Sequence, residues 1–174
     1  MLKNSGLSIR FLPVFLGAFV ALGLYASSLY SYLLFHSLIE LFSVLVALVI
    51  FVIAWHTRRL LDSHYLLLIG IVSLCSGALD LVHILAYKGI GVFSGYDANL
   101  ATQLWIAFRY VFSSSLFLAS FFITRKLNPK KTLTVSVAVT VFLLASIFLR
   151  RFPDCFVEGS GLTRSKSSVN TLSA

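Results

Sequence analysis

Charge is scarce in this chain, and acid is scarcer still. Of 174 residues only 11% are charged, and 6 Asp and Glu face 14 Lys and Arg. A soluble globular domain carries about twice that charged fraction, so the shortage excludes a water-facing globule for most of the length. Cysteine is nearly absent too: Cys75 and Cys155 stand far apart, one in an apolar run and one after Pro153-Asp154, which excludes a disulfide framework and a CxxC metal knuckle. With 3 prolines and no inverted repeat, the chain lacks the broken midplane helices that mark a transporter site. It also has no GxSxG elbow, no phosphate loop and no HExxH pair, the signatures that would point to hydrolytic or nucleotide chemistry.

What remains is hydrocarbon. Hydrophobic residues make up 59% of the chain, and the mean hydropathy is +0.95. The basic residues lie in short clusters between apolar runs rather than along a polar stripe, so they read as membrane-surface topology signals and not as a nucleic-acid footprint. Stretches long enough to cross a bilayer, at roughly 20 residues and 1.5 Å each, fall near 11 to 30, 33 to 56, 65 to 87, 100 to 124 and 132 to 149. The expected fold class is all-α, a multi-spanning transmembrane helical bundle of about five helices. The first stretch follows Lys3 and Arg10, but its apolar part is too long for a signal peptide and lacks a cleavage site. The break between the first two is the least marked, because "SSLYSYLLFH" has no charge, Gly or Pro. Residues 1–157 are expected to form the membrane domain and residues 158–174 a polar, disordered tail.

Placing the N-terminus in the cytoplasm puts Lys3, Arg10, Arg58, Arg59, Arg125, Lys126, Lys130 and Lys131 inside, with Lys88 alone in the outer loops before the fifth helix. Arg150 and Arg151 oppose this bias. The orientation gives the intramembrane polar residues a depth. His36 and Glu40 fall near the outer end of the second helix, and Asp80, His83 and Tyr87 in the outer part of the third. On the fourth, Trp105 lies near the outer entry and Arg109 about 13 Å from the helix start. Each set repeats at i, i+3 or i+4 and so occupies one helical face. An ionised group at bilayer depth costs about 2.5 to 3.5 kcal/mol on insertion scales, so such groups normally face one another or a wet cavity.

The expectation is a single polar pocket under the outer surface. Three chemistries suit it. His36, Glu40, Asp80 and His83 offer the imidazole and carboxylate donors of a divalent transition metal such as zinc, iron or copper. Haem held by two histidines would leave Glu40 and Asp80 without a role. The third reading is a polar network, with Arg109 as counter-charge, that only locks helices together.

Specific runs carry a resemblance. "LLFHSLIELFSVLVALVIFVIAWHTRR", "LDLVHILAYKGIGVFSGYDANLATQLWIAFRY" and "FPDCFVEGSGLT" resemble the third class of bacterial membrane-associated sensor domains, the MASE group, over roughly residues 30 to 163. The resemblance implies a signal-input module ahead of a cytoplasmic histidine kinase, diguanylate cyclase or similar output domain, in the bacterial inner membrane. It implies no catalysis by this chain. By motif position His36, Glu40, Asp80, His83, Tyr87, Lys88, Gly89, Asp97, Asn99, Trp105 and Arg109 correspond to the family's characteristic residues. Trp105, Arg109, Tyr87, Asp97 and Lys88 are the expected ligand contacts, beside the four metal candidates. The partners implied are the lipid bilayer, the output domain of full-length relatives and a second copy of the chain. After "GLTRSK" the family's continuation gives way to "SSVNTLSA", which reads as a truncated frame or fragment; a stand-alone membrane protein and a metal-dependent membrane hydrolase or small-solute transporter are the alternatives.

Lesser features have plain expectations. His56 and His64 flank the inner loop as solvated interfacial residues, and Cys75 is a small packing residue. Gly70 and Gly77, with Ser73 and Ser76, allow close helix approach. Asp97 or Asn99 caps the fourth helix.

Overall fold

The computed structural model describes residues 5–60, 64–157 and 161–162, with no side-chain description for residues 5–10, 157 or 161–162. Its five helices are α1 (Ser5–Tyr30), α2 (Tyr32–Thr57), α3 (His64–Ala86), α4 (Ala98–Ser120) and α5 (Pro129–Phe148). The all-helical membrane fold expected from the apolar runs is present. Among the described residues four helices are long and apolar enough to span, α1 from Phe11, α2, α3 and α5. In α4 the Asn, Thr, Gln, Arg and Ser residues dilute the apolar content. The chain divides into two compact units, residues 1–42 and 43–174.

In the first unit the interruption between α1 and α2 is one residue, Ser31. Helix-type hydrogen bonds continue on both sides of it, from Ser31 N to Ser27 O at 2.9 Å and from Phe35 N to Ser31 O at 3.0 Å. The Ser31 hydroxyl accepts from Leu34 N at 3.4 Å. Nearby serines return their own hydroxyls to the backbone, Ser27 to Leu24 O and Ser28 to Tyr25 O, both at 2.7 Å. Serine bonded this way is compatible with a helix, so a segment without Gly or Pro forms no extended loop.

The second unit is organised around α3. Thirteen of its 23 residues are buried, because other helices cover it on several sides. Gly70 and Gly77 make this possible. A Cβ at Gly70 would overlap the Cβ of Ala54 on α2, and one at Gly77 would lie 3.1 Å from that of Ala47. Small residues at such crossings let backbones approach where lipid supplies no hydrophobic driving force. Against α4, the packing divides into two apolar clusters. One joins Leu100, Leu104 and Ala107 to Ile147 of α5, with Val82, Ala86 and Phe148 around them; the other, at the opposite end, joins Leu68 and Val72 to Ala119.

Connections are defined by their caps. The α3–α4 loop turns through Gly89, Gly91 and Gly95, whose φ values of 112°, 74° and 86° are the left-handed conformations glycine adopts without a Cβ penalty. Asp97 is the N-cap of α4, accepting from Asn99 N at 3.1 Å. Asn128 caps α5, accepting from Lys131 N at 3.1 Å, with Pro129 in the first turn. After α5 the chain reverses at Arg150, a non-glycine residue at φ 55°. It returns across the start of α4 and forms a two-residue antiparallel ladder, β1 (Phe156–Val157) with β2 (Gly161–Leu162). Gly161–Leu162 fall in the segment expected to be a polar tail, the rest of which lies outside the described residues.

Candidate functional site

Asp80 and His83 are buried in α3, at 2% and 5% exposure. Leu79 and Ile84 are buried beside them in the sequence, and His83 faces α4. His83 Nδ1 lies 2.8 Å from the carbonyl oxygen of Ala101, on α4. A carbonyl only accepts, so Nδ1 carries the proton. In the neutral ring the lone pair then belongs to Nε2. A bond from one ring nitrogen to a backbone carbonyl is the kind that fixes the tautomer and orientation of metal-binding histidines. The His83 ring also meets the edge of Tyr87, centroids 6.1 Å apart at 78°.

In the first unit, His36 and Glu40 face each other one turn apart on α2, Nδ1 to Oε1 3.9 Å, with side chains 17% and 20% exposed. Tyr32 stacks on the His36 ring, centroids 6.0 Å apart. Each pair expected from i, i+3 or i+4 spacing therefore shares a face. The donor set of imidazoles and carboxylates suits a divalent transition metal.

The expected ligand contacts divide into two groups. Tyr87, Lys88 and Asp97 line one hollow of about 210 Å³ at the loop end of α3, with Gly89 and Tyr96. Asp97 also borders an adjacent hollow of about 310 Å³ with Asn99, Gln103, Arg150 and Asp154. Trp105 and Arg109 stand elsewhere. The buried face of α4 runs through Leu100, Gln103, Leu104 and Ala107, and Trp105 and Arg109 fall outside that stripe and are exposed. There the guanidinium lies over the Trp105 ring at 5.2 Å and near Phe108 at 5.5 Å, a cation–π pairing between neighbouring turns.

Sequence reasoning named Asn99 by motif position and as a cap but missed Gln103, and missed what the two amides hold. Asn99 does not cap α4. Its Oδ1 accepts from the backbone N–H groups of Cys155 and Phe156, each at 2.9 Å, and its Nδ2 donates to Asp154 Oδ1 at 2.9 Å. Gln103 Nε2 donates to the carbonyls of Phe152 at 3.2 Å and Pro153 at 2.9 Å. Two buried amides thus hold the segment after α5 against the start of α4. Arg150, which opposes the charge bias, is engaged at this end: its Nη2 donates to Gly95 O at 3.4 Å and its guanidinium lies 5.5 Å from the Tyr96 ring. Beside it, burial pushes the Cys155 thiol up from its ordinary pKa, and the Asp154 charge adds to the effect. At the opposite end His64 is not simply solvated. Its Nδ1 accepts the backbone N–H of Leu127 at 2.6 Å, tying the start of α3 to the α4–α5 turn. His56 Nδ1 lies 2.9 Å from Val52 O within its own helix, and Arg58 bonds the Trp55 carbonyl while its guanidinium lies over the Trp55 ring at 4.4 Å.

A bundle of apolar helices with ionisable side chains turned into it, rather than toward lipid, defines an integral membrane module. The chain belongs to the MASE3 family of membrane-associated sensor domains, whose pattern it matches over residues 27–173. No curated protein matches it, and no solved structure does. The protein is a membrane-embedded sensory input module.

Proposed function

We propose that this module senses a divalent transition metal or a small ligand through the polar residues near the α3–α4 loop, with no catalytic step of its own. The observation that carries the reading is His83, buried beside Asp80, with its Nδ1 proton committed to Ala101 O. Zinc, iron or copper would find imidazole and carboxylate donors in Asp80 and His83 of the second unit and in His36 and Glu40 of the first. Tyr87, Lys88 and Asp97, which share a hollow, are the contacts for an organic ligand. Occupation biases the relative position of α2, α3 and α4, and so the ends that join a cytoplasmic output domain.

The Lys and Arg distribution supports an inner-membrane location with the α2–α3 and α4–α5 connections in the cytoplasm. A cytoplasmic N-terminus further requires the chain to fold back at Ser31. The test is elemental analysis and an absorption spectrum of the chain purified in detergent, with His36→Ala and His83→Ala alongside. Stoichiometric metal lost in both variants supports the metal site, and a Soret band moves the assignment to haem. Neither metal nor chromophore, with variants that only melt earlier, refutes both and leaves a helix-locking network.

A further inference from the structure

At the end of the second unit opposite the buried histidine, α4 and α5 part. Near the α3–α4 loop they meet through Leu104, Ala107, Leu144 and Ile147. Toward the α4–α5 turn the facing positions are small, Ser114 and Ser115 on α4 and Ser136 on α5, and the gap between the helices is a crevice of about 720 Å³ floored by Leu68, Val72 and Cys75 of α3. Its walls are aliphatic, including Val111, Leu118, Val135 and Val139. Its mouth is not. Lys126 and Lys131 border it together with Asn128 and Thr132, at the first turn of α5.

We propose that this crevice binds one anionic phospholipid from the leaflet at the Lys126 and Lys131 end, its acyl chain lying between α4 and α5 and its phosphate against the two ammonium groups. The argument is complementarity of charge and polarity. A dry aliphatic slot in a bilayer is filled by hydrocarbon, and two lysines at its mouth select a headgroup with net negative charge over a zwitterionic one. Neither lysine makes an ion pair with a carboxylate among the described residues. The inference is independent of the metal and ligand reading, since no residue of the crevice belongs to that set.

Phosphatidylglycerol and phosphatidylcholine with matched chains are the probes. The whole chain in a neutral detergent is titrated with each, and retained lipid is read by native mass spectrometry. Phosphatidylglycerol should bind at one per chain with about tenfold preference, the scale of one to two near-surface lysine contacts. Lys126→Gln with Lys131→Gln should abolish the preference. Lys130→Gln, which removes a neighbouring charge that does not border the crevice, should retain it. Ser136→Phe should lower retention of both lipids by filling the slot, and the Lys variants cover the case in which that substitution fails to fold. Equal retention of the two lipids by the unmodified chain, or equal loss in Lys130→Gln, overturns the proposal. So does a dimer that persists without lipid and protects Ser114 and Ser136 from labelling when replaced by cysteine.

Discussion

Removing the Asn99 side chain should release the segment after α5 without disturbing the helices. Asn99→Ala deletes an acceptor used by two backbone N–H groups, Cys155 and Phe156, at 2.9 Å each, and a donor to Asp154 at the same distance. Orphaning a donor costs about 1 to 3 kcal/mol when buried. Cys155 and Phe156 are half-buried, which puts each at the low end, and the sum at about 2 to 3 kcal/mol with the Asp154 bond included. That is roughly a 30- to 150-fold change in a local opening equilibrium. Hydrogen exchange at the Cys155 and Phe156 amides should accelerate by that factor, with the α3 amides unchanged. Asn99→Asp sharpens the test. It keeps the acceptor but replaces the donor to Asp154 with a second carboxylate, so two like charges face each other. Protection of the Cys155 and Phe156 amides, taken relative to their intrinsic exchange rates, should therefore be lower in this variant than in the native chain at pH 7 and should recover as the carboxylates protonate toward about pH 4. If Asn99→Ala leaves exchange at residues 155 and 156 unchanged, the clamp does not hold the segment and the reasoning fails.

Further substitutions test the packing and the cap at the other end. Gly70→Ala should destabilise by about 1 to 3 kcal/mol through overpacking against Ala54, and Gly77→Ala by less, because Ala47 lies at 3.1 Å and needs to yield only slightly; urea or thermal melts in detergent give the order. His64→Phe removes the acceptor of Leu127 N–H and should cost about 1 kcal/mol, whereas a merely solvated His64 would give no change. Cys155 should alkylate more slowly than a free cysteine at pH 8, because its raised pKa leaves less thiolate; equal rates would contradict its burial beside Asp154.

The helices were legible because spanning a bilayer demands long uninterrupted apolar runs. Their ends were less so. The fourth was expected to reach residue 124 and stops at Ser120, where Phe121 N and Phe122 N turn back to Leu118 O at 3.1 Å and Ala119 O at 2.9 Å. That tightening brings Phe122 onto the Leu68 cluster, a tertiary gain invisible in a run of hydrophobic letters. Asp80 and His83 announced themselves through the cost of placing them at depth. Gln103 did not, and Asn99 stood out by motif position without its role, because their partners lie some 50 residues away and are mostly backbone atoms, which leave no trace in residue type. Trp105 and Arg109 share a face, as i, i+4 spacing requires, but spacing alone does not say which side of α4 that face is on.

The central claim is that His83 presents its Nε2 lone pair to a ligand rather than only bracing two helices. Titrating the purified chain with cobalt(II) tests this most directly, because a site with imidazole ligands gives a d–d absorption band that a bracing histidine does not. The band should saturate at one equivalent and disappear in His83→Ala. A featureless titration of the unmodified chain, with His83→Ala differing only in melting temperature, would contradict it.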